Sequence, residues 1–334
     1  MGLNVAMVTP YNVRCGISTY SRDLMDALAK QDVNVYVVRL PRFGAKTPLL
    51  IRDIAERVPY DSVDLVHVQN EYGLYQNFDN DFYSMLHAFG KPVVTTMHAI
   101  ANYKVDPIVD RYSDLVIVHN EYCKSRYGFD SVIIPHGCNI IEPLPMKESK
   151  KIMGIDVRIP IVGYVGFISE YKGLEILIEA MRTIKNAALL IGGGWHIGPD
   201  TAYINTLKQN SYNVLQHRCK WLGFVPDEQM NTTYSGMDVV VYPSQYATES
   251  GALLTALGHG KAVIAQKLLP FKEKERKGAL VTFRGIRSLR SKIRTLLKDK
   301  DARIKLEEGA RKYSLDNSWE NVAKMHVKAY KSLL

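Results

Sequence analysis

Short apolar runs alternate with segments whose apolar residues recur every three or four positions, and this alternation continues almost to the end of the chain. Residues 3–9 (LNVAMVT) predict a first strand; a loop from Pro10 to Ser18 follows, and Tyr20, Leu24 and Leu28 then share one helical face. Further strands are expected at 33–40, 64–68, 92–97, 115–118 and 132–135, with helical runs at 49–58 and 82–89. The pattern lapses over residues 140–158, a polar and basic stretch carrying Pro143, Pro145, Lys147, Lys150 and Lys151, which reads as an interdomain linker. A second series then begins. Its strands are expected at 161–166, 188–191, 214–216, 239–242, 262–265 and 280–282, with residues 221–224 as a turn. Its helices are expected near 173–186, 199–209, 227–235, 250–258 and 286–297. Strands alternating with helices imply parallel βαβ units, so the expected fold class is α/β with two doubly wound parallel-sheet domains, 1–150 and 151–316. Facing domains of this kind leave a cleft at the carboxyl ends of their strands, where ligands bind. A terminal helix, 317–334, is expected to cross back to the first domain through Trp319, Val322, Met325 and Val327.

Within this pattern, the stretch Val162 to Glu179 (VGYVGFISEYKGLEILIE) combines a strand, a break at Gly166, a polar loop bearing Lys172, and a helix. A helix N-terminus presents free N–H groups and the positive end of the helix dipole, and a lysine at its mouth adds a point charge. The same elements also make an ordinary βα turn with a solvated lysine. Gly192, Gly193 and Gly194 follow the strand LLI, where they serve a sharp turn or a close approach to a ligand. Ser250, Gly251 and Ala252 precede an apolar helix behind the strand-end sequence VVVYPSQ; Ser250 suits an N-cap, and the small residues leave amides open to an anion. Glu249 stands where a carboxylate accepts sugar hydroxyls or complements the helix dipole. His98 ends a strand and is the better ligand candidate; His67, inside a strand, reads as a satisfied core or edge histidine, and His119 and His136 occupy positions like that of His98. Glu71 and Tyr72 follow the third strand and line the same edge.

Composition sets the class. A chain of 334 residues with 46% hydrophobic and 23% charged residues has room for two soluble domains, and it contains no apolar run of transmembrane length. The opening MGLNVAMVTPYN reads as a strand rather than a signal peptide, and Cys15, Cys123, Cys138 and Cys219 form no C-x-x-C pair, so a reducing, cytoplasmic setting is expected. From Lys267 onward, 19 Lys and Arg face 8 Asp and Glu, a net of +11 in a chain whose total is +9. That asymmetry fits solvated helix faces, or an anionic membrane surface as partner; no nucleic-acid motif accompanies it.

The segments CGISTYSRDL, HVQNEYG, TTMHAI, VIIPHGCN, VGFISEYKGLEILIEAM, LLIGGG, WLGFVPDEQMNTTYSGMDVVVYPS, ESGALLTALGHGKAVIA and SWENVAKMHVKAYKSLL, in this order, resemble the retaining nucleotide-sugar glycosyltransferases of family 4, the glycosyl transferases group 1, which have the GT-B fold of two Rossmann-like domains facing a central cleft. The resemblance implies transfer of a sugar from a nucleotide-diphosphate-sugar donor to a glycan, lipid-linked or small-molecule acceptor. No D-x-D pair stands at a strand end, so no divalent metal is expected, and no cofactor besides the donor. The resemblance also implies that Gly16 approaches donor phosphates and acceptor, and that His98 approaches the transferred sugar. Lys172 then neutralises the diphosphate, Glu249 contacts the sugar, and Gly251 and Ala252 offer amides to the distal phosphate. Gly166, Gly193 and Ser250 complete the donor side, and Gly16, Tyr20, Glu71, Tyr72 and His98 the acceptor side.

Two departures stand out. Phe167 occupies a position where the family often has arginine, and Thr255 falls where a second glutamate binds ribose; that register also sets Ala247, not Glu249, at the first glutamate. These departures motivate the competing reading of a non-catalytic nucleotide-sugar binding protein; a GT-B sugar-nucleotide epimerase is the other alternative.

Overall fold

The computed structural model describes residues 2–194 and 202–334, which form two compact units. The first unit contains the chain up to Gly137 together with Asn317–Leu334, and the second runs from Cys138 to Asp316.

In the first unit the chain alternates β1 (Leu3–Thr9), α1 (Gly16–Ala29), β2 (Val33–Arg39), α2 (Pro48–Glu56), β3 (Leu65–Asn70), α3 (Asp79–Ala88), β4 (Val93–Met97), α4 (Asp106–Tyr112), β5 (Leu115–Val118), α5 (Glu121–Tyr127) and β6 (Val132–Ile133). The strands pair in parallel in the order β2-β1-β3-β4-β5-β6. Period-two alternation sorts the sheet's side chains between two cores. Val5, Met7, Leu65, Val94 and Ile117 enter one core with α1, while Ala6, Val8, Val66, Val93 and Val116 enter the other with α2 and α3.

The second unit continues with α6 (Met146–Ile152), β7 (Ile161–Val165), α7 (Leu174–Met181), β8 (Ala188–Gly192), α8 (Ala202–Leu215), β9 (Cys219–Gly223), α9 (Asp227–Ser235), β10 (Val239–Tyr242), α10 (Gly251–Gly258), β11 (Val263–Gln266), α11 (Leu269–Arg276), β12 (Val281–Phe283), α12 (Gly285–Lys298) and α13 (Lys300–Asp316). Its strands are parallel in the order β12-β11-β10-β7-β8-β9. One continuous core fills this unit, and Gly163 in β7 leaves the space that the Met237 side chain occupies.

The last helix, α14 (Trp319–Lys331), packs on α1. It buries Trp319, Val322, Ala323, His326 and Tyr330, whereas Met325, expected as a contact, is exposed. A Cβ at Gly137 would collide with the Trp319 indole, so this glycine admits the ring.

The structure corrects several sequence expectations. The chain divides at Gly137/Cys138 rather than near residue 150, because residues 141–150 bind the second unit. Ile141 N–H donates to Gly258 O at 3.1 Å, and the Lys150 ammonium lies 3.0 Å from Asp238 Oδ2. The stretch read as a linker therefore contains α6, and its lysine is buried by an acid far along the chain. Residues 214–216 are not a strand: α8 runs through Leu215 and Gln216 turns at φ 55. The edge strand is β9 instead, pairing Leu189 with Cys219, where residues 221–224 were expected as a turn. The expected helix start at 199–201 lies outside the described residues. In α12, Arg290 donates to Glu179 and Arg294 to Thr183, so part of the basic excess is held locally. Among the described residues no helix is long and apolar enough to cross a membrane.

The first unit buries an unusual set of histidines, and this sets its acid stability. Burial holds His326 down at about 4 and His67 well below its usual value. Above about pH 6.5 both the folded and unfolded states carry these rings neutral. Below that, only the unfolded chain takes up the protons, so stability present at neutral pH is lost as pH falls. His326 alone is expected to remove about 1.4 kcal/mol per pH unit between roughly pH 6.5 and 4. Urea unfolding at pH 7.5, 6 and 5, wild type against His326→Gln, checks this: the variant is expected to show the shallower loss, and identical pH slopes refute it.

Candidate active site

In a doubly wound sheet the ligand crevice opens where the strand order reverses. In the second unit that point lies between β7 and β10, which are paired through Val239 and Val162. The loops that leave these two strands, together with the one leaving β8, build the candidate site.

The β7 loop turns at Gly166, whose N–H donates to Gly192 O at 3.0 Å, and Ile168 N–H donates to Gly194 O at 3.0 Å. This ladder brings the β7 and β8 loops so close that a Cβ on Gly193 (φ 145) would collide with the Gly166 carbonyl. Gly193→Ala is therefore expected to destabilise the second unit by about 1–3 kcal/mol through strain; a wild-type urea midpoint for the variant refutes the close approach. The chain then makes a 3₁₀ turn, Glu170–Lys172, and passes through left-handed Gly173 into α7. Lys172 is half-buried at this helix mouth, its ammonium 4.6 Å from the centroid of the Tyr171 ring.

From the other side, Gln245 N–H donates to Tyr171 O at 2.8 Å, tying the β10 loop to the β7 loop. Ser250 caps α10 by accepting from Leu253 N–H, and its own carbonyl accepts from Leu254 N–H. The amides of Gly251 and Ala252 precede the first helical hydrogen bond, so they are the donors that this helix start offers. Tyr242, at the end of β10, aims these groups: its hydroxyl donates to Ala252 O at 2.6 Å and lies 3.2 Å from Val165 O. Ala252 in turn stands close to Gly166: a Cβ added there would come 3.2 Å from the Ala252 Cβ, tighter than ordinary packing. Gly166, Gly193, Lys172, Ser250, Gly251 and Ala252 thus converge at one strand-end junction. Tyr242 was missed by sequence reasoning, although its place at the strand end before Pro243 signals it.

Two donor-side residues behave otherwise than expected. Glu249 does not present a free carboxylate: Oε2 accepts from the Lys274 ammonium at 2.7 Å and Oε1 from Ser250 N–H at 2.9 Å, with side chains 7% and 2% exposed. Burial works against the charge on Lys274, but Glu249 beside it overcomes this and raises the lysine above its usual pKa. Glu249 anchors the α10 start to α11. Thr255 donates its hydroxyl to Gly251 O at 3.0 Å, one turn inside α10.

In the first unit the strand order reverses between β1 and β3. Gly16 is the exposed first residue of α1, and a Cβ there would meet nothing within 4 Å, so the glycine keeps open space before the helix. Cys15 caps α1 through its sulfur, 3.3 Å from Ser18 N. Glu71 is half-exposed, 3.4 Å from Arg42; burial pushes its carboxyl pKa up while Arg42 opposes the rise. Tyr72 is not a free acceptor contact, because its hydroxyl donates to Asp106 Oδ1 at 2.5 Å and accepts from Asn102 N–H at 2.9 Å, bracing the loop before α4. Tyr20 is not at a surface at all: its buried ring packs on His98 at 4.7 Å, His136 at 4.9 Å and Trp319 at 5.1 Å. His98 remains half-buried at the end of β4, with Nε2 2.9 Å from Gln69 Oε1 and Nδ1 3.4 Å from His119 Nε2. Among the described residues, no group of His, Cys, Asp or Glu is arranged to hold a metal ion.

Comparison with known proteins bears on the family and the fold. A model of the family described as glycosyl transferases group 1 matches residues 145–313. The D-inositol 3-phosphate glycosyltransferase of Corynebacterium urealyticum is 26% identical over 248 residues, 68% of this chain and 58% of that protein. An uncharacterized glycosyltransferase of Methanocaldococcus jannaschii is 29% identical over 190 residues, 54% of this chain and 47% of that one. The chain spans about half the length of the curated relatives it matches. Among solved structures, sucrose-phosphate synthase from Thermosynechococcus elongatus has a TM-score of 0.79 at 20% identity over 99% of both chains. HepE from Anabaena, in complex with UDP, has a TM-score of 0.80 at 17% identity, covering 99% of this chain and 100% of that one. The same protein is also known with UDP-glucose. These likenesses place the two six-stranded parallel sheets in the GT-B fold.

Proposed function

The chain belongs to the glycosyl transferases group 1 family, and on that premise we propose that it transfers a sugar from a nucleotide-diphosphate-sugar donor to a hydroxyl-bearing acceptor with retention. The observation that carries the reading is the convergence, at the β7/β10 junction, of Lys172 and the open amides of α10 on two glycine turns that bring backbone close. Breaking the bond between sugar C1 and the diphosphate oxygen leaves charge on the diphosphate. Lys172 and the amides of Gly251 and Ala252 are preorganised donors for that charge, and preorganised electrostatics of this kind is a large part of catalysis in many enzymes. A new bond from C1 to the acceptor oxygen forms on the same face, and the acceptor proton passes to the departing diphosphate. Fixed cationic and dipolar groups supply what a divalent ion supplies elsewhere, so the reaction is proposed to proceed without metal.

Neither Glu249, held by Lys274, nor Tyr72, held by Asp106, is assigned a substrate contact. His98 and Glu71 remain the side chains of the first unit proposed to face substrate. Uridine nucleotides are the first donors to try, because HepE binds UDP and UDP-glucose. The acceptor is proposed to be a glycan, lipid-linked or small molecule.

The test is a donor panel incubated with the purified protein, scoring released nucleoside diphosphate with and without a chelator. Release that persists with chelator is expected, and it rises when the acceptor is supplied. A second reading, binding without turnover, is favoured by Thr255, whose hydroxyl is turned to Gly251 O where the family's second glutamate stands. Tight donor binding with no release or transfer under any condition establishes that reading instead.

A further inference from the structure

The first unit holds a hydrogen-bonded file of side chains that ends at His98. Tyr330 on α14 lies 2.7 Å from His67 Nδ1, and His67 Nε2 lies 2.8 Å from Thr96 and 3.2 Å from the Gln69 amide nitrogen. Gln69 Oε1 lies 2.9 Å from His98 Nε2. His98 Nδ1 lies 3.4 Å from His119 Nε2, and His119 Nδ1 lies 3.1 Å from the Ile134 carbonyl. His67 and Gln69 are fully buried and His119 nearly so.

The proton count of this file follows from donor and acceptor rules. A carbonyl only accepts, so His119 carries hydrogen on Nδ1. With the Gln69 oxygen facing His98, His98 must donate from Nε2. The link between His98 Nδ1 and His119 Nε2 then needs one further proton on either nitrogen, which makes one of the two rings an imidazolium. When the amide is turned over, the count changes. Gln69 nitrogen donates to His98 Nε2, His98 Nδ1–H donates to a bare His119 Nε2, His67 Nε2–H donates to the Gln69 oxygen, and Tyr330 donates to His67 Nδ1. Every ring is then neutral and every link is satisfied. The two orientations of one amide differ by one proton.

We infer that Gln69 and His119 are positioning residues that hold His98 as its neutral Nδ1–H tautomer, and that the Gln69 amide turns over when the file takes up a proton. The groups facing His98 agree with the neutral state. They are Tyr20 from α1, His119 after β5 and His136 after β6, with His67 from β3 reached through Gln69, Trp319 from α14 packed on Tyr20 and His136, and His326 and Tyr330 behind His67. Burial and the neighbouring histidines hold His98 well below its ordinary pKa. The consequence for the reaction rests on the reading that His98 faces the transferred sugar. A sugar breaking from its diphosphate gains positive character at C1, so an uncharged ring beside it avoids a repulsion that an imidazolium imposes.

Nitrogen-15 spectra of the histidine rings test the tautomers independently of any activity. At pH 7.5 the expected pattern is bare Nε2 on His98 and His119 and bare Nδ1 on His67. A protonated Nε2 on His98, or an imidazolium at that position, overturns the inference. The variant Gln69→Glu sets a carboxylate against His98 Nε2 and is expected to convert that ring to imidazolium at pH 7.5. It is also expected to move the acid limb of the kcat profile up by at least about one pH unit, as an opposite charge at this distance commonly does. A neutral His98 in Gln69→Glu contradicts the coupling. If that variant does not fold, the wild-type spectrum decides alone; if no donor is turned over, the spectra still decide while the transferase reading fails separately.

Discussion

Replacing Glu249 with alanine is expected to unfold the second unit well before it alters any sugar preference. Its carboxylate faces a lysine ammonium that is 2% exposed, 2.7 Å away and reached from α11. Removing one member of a buried pair leaves the other charge without compensation, which costs about 3–5 kcal/mol. For a domain of this size each kcal/mol lowers Tm by roughly 2–4 °C, so a fall on the order of 10 °C is expected. The double variant Glu249→Leu with Lys274→Met removes both charges and is expected to regain most of that loss, because apolar replacements of buried pairs are often neutral. Calorimetry of the two variants gives the answer. A single variant with wild-type Tm and altered sugar discrimination returns Glu249 to the role of a substrate contact.

Lys172→Ala is expected to behave in the opposite way. Lys172 is half-buried in a short turn, its ammonium over the ring of Tyr171. A substitution at such a place commonly changes stability within about ±0.5 kcal/mol. Its charge, however, sits at the mouth of α7 beside the turn that Gly166 and Gly193 bring together. Losing one preorganised contact to a developing anion commonly lowers the rate by roughly 100- to 1000-fold. Donor turnover and Tm measured side by side separate the two effects. Wild-type turnover in Lys172→Ala removes Lys172 from the diphosphate site; lost turnover with a fallen Tm assigns it a structural role instead.

What the sequence discloses follows the range over which its signals act. The β7 strand, its glycine break and the apolar face of α7 are written within a single window, and so are Ser250 and the helix it caps. These local signals are enough to mark the switch-point junction. The sheet strands are likewise legible because both faces are covered and the runs are nearly continuous in apolar residues. Long-range charge pairing is not legible. Lys150 looks like part of a basic linker until Asp238 is brought beside it, and Glu249 looks like a ligand until Lys274 is. For the same reason α11 and α13 were not foreseen, since their sequences LPFKEKER and KDARIKLEEGARKYSLD carry few apolar residues for a periodicity to reveal. The file through His67 joins Tyr330 to the middle of β3 across 263 positions, so no local pattern betrays it. Tyr20 was misplaced because a tyrosine on a helix near a loop looks amphipathic, while the neighbours that bury it, His98, His136 and Trp319, come from distant segments.

The junction of the β7, β8 and β10 loops is proposed to bind a nucleoside diphosphate through backbone amides and one lysine. The most direct test is titration of the isotopically labelled protein with uridine, guanosine and adenosine diphosphates, following backbone amide resonances. With at least one of them, the amides of Gly251 and Ala252 are expected to shift together with those of Gly166 and Gly193, and Lys172→Ala is expected to weaken that response. Saturable shifts that leave Gly251 and Ala252 unmoved, or no response to any of the three, would contradict it.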